Sequence, residues 1–82
     1  MRVKFSVGSD VEWLRFPGEE EVTVSKVLET AFDARPDLFS RRMEREDLRR
    51  LSLNVFVNRE HVRYRQGTDT RVKDGDEVYV IP

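Results

Sequence analysis

The 82-residue chain has no cysteine, one histidine, one tryptophan and almost no net charge. Each shortage removes a class of chemistry. Without cysteine there is no disulfide framework, no zinc–thiolate site and no thiol relay within the chain. His61 alone cannot build a multi-histidine metal centre. A formal net charge of −1, from 15 cations and 16 acids, gives no global case for nucleic acid or acidic membranes. No stretch approaches the ~20 apolar residues of a membrane span, and no apolar segment follows Met1 as in a secretion signal. A soluble cytoplasmic protein is expected.

What is present describes one domain over residues 1–82, with no repeat, low-complexity tract or linker. Charged and hydrophobic residues each make up 38% of the chain, a globular balance. A chain of this size buries only roughly 60–65% of its unfolded surface. Arg2 to Val7 alternates, with Val3, Phe5 and Val7 on one face, and predicts a half-buried strand. Gly8-Ser9-Asp10 is turn chemistry, and Val11 to Phe16 pairs back as a hairpin. Glu19, Glu20 and Glu21 read as a solvated acidic loop. Val24, Val27, Leu28, Ala31 and Phe32 then trace an apolar helical stripe. Thr23 is the natural N-cap, Val22 could staple onto Val27, and Pro36 biases the helix to stop near Ala34.

From Pro36 to Arg50 the spacing of Leu38, Phe39, Met43 and Leu48 predicts a short irregular helix or turn dipping back to the core. Arg41, Arg42, Arg45, Arg49 and Arg50 are interspersed with Glu44, Glu46 and Asp47, which favours solvated paired charge over a phosphate-binding patch. Leu53 to Val57 alternates as a third strand, Asn58 to His61 turns, and Val62 to Arg65 alternates as a fourth. Lys73 to Glu77 is a second turn around Gly75, and Val78 to Ile81 forms the last strand.

No pattern supports catalysis. His61 sits at a turn without a nucleophile and an orienting acid in evident reach. Asp74 and Asp76 bracket Gly75, but the further oxygen ligands and closing Glu of a calcium loop are missing, so turn capping is the reading. Gly67 and Gly75 belong to no phosphate-cradling motif. No metal and no cofactor are expected, and the protein is expected not to be an enzyme.

The run Val55-Phe56-Val57-Asn58, then Gln66-Gly67-Thr68-Asp69-Thr70, then Val72-Lys73-Asp74-Gly75-Asp76-Glu77-Val78 and a final Ile81-Pro82 resembles the C-terminal half of the ubiquitin-like sulfur carriers. These include the small subunit of molybdopterin synthase, the thiamine-pathway carrier and the prokaryotic ubiquitin-like modifiers. The resemblance extends more weakly over the N-terminal half. It implies an α+β fold, the single-domain β-grasp, with mixed sheet order 2-1-5-3-4 and one main helix on one face. The expected core is Val3, Phe5, Val7, Leu14, Phe16, Val24, Val27, Leu28, Phe32, Val55, Val57, Val78 and Val80.

If the odd residues of the third strand face the helix, Phe56 faces outward. By the same parity Tyr79 and Ile81 point out beside it. Arg63 and Arg65 of the fourth strand and Lys4 of the first would rim this patch, and Trp13 and Val11 could extend it along the second. An apolar centre with a cationic rim suits a protein interface. The resemblance implies protein partners there, an activating enzyme or a synthase subunit, rather than nucleic acid, membrane or metal.

Family members continue a few residues past the position of Pro82 and finish in Gly-Gly. That carboxylate is adenylated, then converted to a thiocarboxylate or joined to an amine. Two residues without side chains let the backbone thread a narrow channel. Pro82, with its ring and fixed φ, cannot stand in. The expectation is a sulfur carrier or protein modifier whose Gly-Gly lies beyond Pro82. The alternative is a non-conjugated ubiquitin-like module acting through Phe56, Tyr79 and Ile81 alone. An RNA-associated β-grasp domain is a third class, disfavoured by the near-neutral charge.

Overall fold

Alternation at both ends of the chain is the feature that builds the sheet. In a computed structural model, which describes residues 1–39, 44, 46–48 and 54–81, β1 (Arg2–Val7) lies antiparallel to β2 (Asp10–Arg15) and parallel to β7 (Glu77–Val80). On its other side β7 pairs with β4 (Val55–Val57), which pairs with β5 (Glu60–His61). The order across this five-stranded sheet is β2-β1-β7-β4-β5. Val3, Phe5, Val7, Leu14, Val55, Val57, Val78 and Val80 are all buried on one side.

The side chains that cover them come from α1 (Val24–Ala34), whose Val24, Val27, Leu28 and Ala31 are buried. Thr23 caps this helix, its Oγ1 accepting from the Lys26 N–H at 3.1 Å. The N–H of Val24, orphaned at the helix start, donates to the carbonyl of Thr70 at 2.9 Å. At the other end the Arg35 N–H reaches the Ala31 carbonyl, and Pro36 opens a 3-10 turn over Pro36–Leu38. Beyond it Phe39 folds back into the core, stacked on Phe5 with ring centroids 5.8 Å apart and edge-on to Phe32 at 5.4 Å. Leu48 is buried too, while Leu38 packs part-buried against the core. Phe32 is also part-buried rather than fully enclosed.

Two elements differ from the sequence reading. The acidic run does not end as a loop: β3 (Glu21–Thr23) pairs antiparallel with β6 (Arg71–Lys73), and Val22 meets Val72 with both side chains buried. Val22 is therefore a strand residue of a small second sheet. The fourth strand also lies ahead of its alternation, at Glu60–His61 within the expected turn, and not over Val62 to Arg65. It ends at His61, and Val62–Tyr64 is a 3-10 turn. The Arg63 N–H donates to His61 Nδ1 and the Arg65 N–H to the Val62 carbonyl, so local bonds take the donors a strand would offer its neighbour. Arg41, Arg42, Met43, Arg45, Arg49, Arg50, Leu53 and Pro82 lie outside the described residues.

The Asp-Gly-Asp loop is a capping device. Asp74 accepts from the Arg2 N–H at 2.7 Å, and Gly75 stands at φ +85°. Asp76 accepts from the Lys73 N–H at 2.7 Å with one oxygen and from Asn58 Nδ2 at 2.9 Å with the other. Asn58 in turn accepts from the Glu77 N–H. The β4–β5 turn and the entry to β7 are thereby pinned together, which positions the opposite face of the sheet.

Candidate partner-binding face

The helix covers one side of the sheet, and pairing register decides what shows on the other. Tyr79 lies between Phe56 on β4 and Ser6 on β1, and Phe56 lies between Tyr79 and His61 on β5. On the far side Lys4 pairs with Trp13 and Ser6 with Val11. The open face thus reads, from one edge to the other, Trp13 and Val11, then Lys4 and Ser6, then Tyr79, Phe56 and His61. Trp13 and Val11 are each 48% exposed and Ile81 44%, whereas Phe56 and Tyr79 are half-buried. Ser6 is the floor. It is 3% exposed, and its Oγ has no hydrogen-bond partner among the described residues.

Phe56, Tyr79 and Ile81, with Arg59 and Glu77, line an open groove of about 410 Å³. The aromatic surface continues beyond it, through the His61 ring edge-on to Phe56 at 5.0 Å and Tyr64 at 6.5 Å from His61. Tyr64 is 69% exposed. Strand parity would have sent it inward beside Val62; the 3-10 turn swings it out instead.

The cations expected to rim the patch are near it, but each already has a use. Lys4 pairs with Glu77 at 3.5 Å. Arg63 and Arg65 belong to the turn after β5, not to a strand: Arg63 stacks on Tyr64 at 4.8 Å, and Arg65 pairs with Glu60 at 3.2 Å. Arg2 covers Trp13 at 5.0 Å. Arg59, which sequence reasoning passed over, enters the groove only because β4 and β7 are adjacent, and nothing local in the sequence signals that.

Elsewhere the titratable groups are structural. Arg35 donates to Asp37 and to Glu12, at 2.9 and 2.8 Å. The hydrogen bond from Arg35 holds the Asp37 carboxyl below its ordinary range. Glu44 is pushed up, first by its hydrogen bond with Glu46 and then by the neighbouring negative charge. Among the described residues no group of three or more His, Asp and Glu could hold a metal. No helix among them is long and apolar enough to cross a membrane.

A mixed five-stranded sheet with parallel first and last strands and one crossover helix defines a ubiquitin-like β-grasp domain. The chain belongs to the ThiS family, whose model matches residues 12–82. The family consists of small carrier proteins, not enzymes. Over 30 residues the chain is 47% identical to a "Putative sulfur carrier protein" of Archaeoglobus fulgidus, a match spanning 37% of this chain and 34% of that one. The solution structure of the HVO 2177 protein of Haloferax volcanii has the same fold, with a TM-score of 0.71 at 24% identity, over all of this chain and 82% of that one.

Proposed function

We propose that the chain is a sulfur carrier whose chemistry belongs to a C-terminal Gly-Gly following Pro82 and whose recognition belongs to the open sheet face. The observation that carries this reading is the family match, which spans residues 12–82 and so takes in most of β2 and every later element. In such a carrier the terminal carboxylate attacks the α-phosphorus of ATP and expels pyrophosphate to form an acyl-adenylate, and a sulfide-level donor then displaces AMP to leave a thiocarboxylate. The carrier supplies no catalytic group; it supplies a carboxylate on a flexible segment and a rigid body to hold.

The geometry suits that division. The Ile81 N–H still donates to the Asn54 carbonyl at 3.0 Å, so the β4–β7 ladder holds to within one residue of Pro82. A segment leaving this point is rooted in a central strand, beside Phe56, Tyr79 and Ile81. An activating enzyme or synthase subunit gripping that patch, with Trp13, Lys4, Arg63 and Arg65 around it, would know where the tail starts. Holding the root fixed reduces the freedom that must be lost when the tail enters an active site.

The test is the intact mass of the protein isolated from its own cells. The expected species is heavier than Met1–Pro82, ends in Gly-Gly and is partly converted to thiocarboxylate. A mass equal to Met1–Pro82 overturns the carrier reading and leaves a binding module acting through the same face.

A further inference from the structure

The β4–β5 connection is a two-residue turn in which both central residues are left-handed, Asn58 at φ +49° and Arg59 at φ +73°. Such turns favour Asn then Gly, because only Gly takes the second position without steric cost. Here an arginine stands in the glycine's place. No ion pair among the described residues rewards it: Arg59 is exposed, while Lys4, Arg63 and Arg65 are each engaged. It does line the groove formed by Phe56, Glu77, Tyr79 and Ile81. Glu77 is paired with Lys4, so the groove has an apolar floor and, at its rim, one cation without an ion-pair partner among the described residues.

Backbone strain retained without a structural return is a mark of function. We infer that this groove takes a partner segment presenting a bulky apolar side chain next to a carboxylate, the side chain on Phe56, Tyr79 and Ile81 and the carboxylate on Arg59. This rests on the reading of the open face as the recognition surface, and names the chemistry of what it recognises. An acidic neighbour is selected because a planar guanidinium pairs with a carboxylate through two parallel hydrogen bonds. A basic neighbour is rejected by like charge.

The experiment is a backbone-amide NMR titration of the Met1–Pro82 protein with three capped tetrapeptides: Gly-Phe-Glu-Gly, Gly-Phe-Lys-Gly and Gly-Ala-Glu-Gly. The Phe-Glu peptide is expected to shift the amides of Phe56, Arg59, Tyr79 and Ile81 saturably. The other two should bind at least about fivefold more weakly, as expected for loss of a charge pair or of an aromatic anchor. Arg59→Gly separates recognition from folding. It should raise the melting temperature by roughly 4–8 °C, because strain is relieved in a small domain, while weakening the Phe-Glu peptide about three- to tenfold.

No saturable shift at these amides by about 10 mM peptide, the weak end of measurable affinity, overturns the proposal. Equal binding of the Glu and Lys peptides overturns it, as does unchanged affinity in Arg59→Gly. None of these results bears on the Gly-Gly, because the protein titrated carries no tail; the intact mass decides that separately.

Discussion

Arg35 stands at the C-cap of α1 and joins three pieces of the chain, bonding to Asp37 in the next turn and to Glu12 on β2. Asp37 is the partner whose titration can be read. Its carboxyl is held below the ordinary value of 3.8, chiefly by the hydrogen bond from Arg35. A depressed folded-state value means that the unfolded chain takes up the proton first as the pH falls. The stability Asp37 contributes is therefore present above about pH 4 and is lost as the pH drops through its folded value. Melting curves of Asp37→Asn and the parent chain should differ slightly at pH 6, and the gap should narrow as the pH falls below about 4. A gap that does not narrow at all with acid would show that the charge is not responsible. At this scale the sequence showed residue types but not their use: Arg35, Glu12 and Asp37 gave no local sign of meeting. Phe56, Tyr79 and Ile81 were readable because strand parity alone decides which way they point.

Among the elements, α1 was the most legible and the short strands the least. The helix announces itself by five apolar residues at helical spacing, a capping threonine and a proline one residue past its C-cap, Arg35. Thr23→Ala should cost about 1 kcal/mol, visible as a lower urea midpoint with an unchanged slope. An unaltered midpoint would mean that the Thr70 carbonyl, which already takes the Val24 N–H, holds the helix start without the side-chain cap. The β3–β6 sheet could not be read, because Glu21-Val22-Thr23 and Arg71-Val72-Lys73 each contain one apolar residue, too few to display a period. The stretch from Val62 to Arg65 misled in the opposite sense. Its alternation is real, but Arg63 donates to the His61 ring, and the chain coils where a strand was expected. That single event moves Tyr64 to the outside and places Arg63 and Arg65 on a turn. The aromatic extension of the open face was missed for the same reason.

Across the whole molecule, an 82-residue chain has little core to lose, and its large side chains carry unequal shares. Phe39 stacks on Phe5 and meets Phe32, clasping the segment after α1 onto the sheet. Phe39→Ala should cost about 3 kcal/mol and lower the melting temperature by roughly 12–24 °C in a domain of this size. A drop of only a few degrees would show that the segment beyond Pro36 is not part of the cooperative unit. The strand order reached the sequence reading through family resemblance rather than through pattern, since periodicity says which residues face inward but not which strands are neighbours. One consequence of that order concerns the newborn chain. β1 is made well before its parallel neighbour β7, with Lys4 aligned to Glu77. At about 5–20 residues per second, ribosomes take roughly 4–15 s to make the intervening chain. Throughout that interval the edge of β1 that β7 will pair with has no strand partner from the finished sheet. The sheet cannot be completed piecemeal behind the ribosome; it closes in one late event, once β7 has been made.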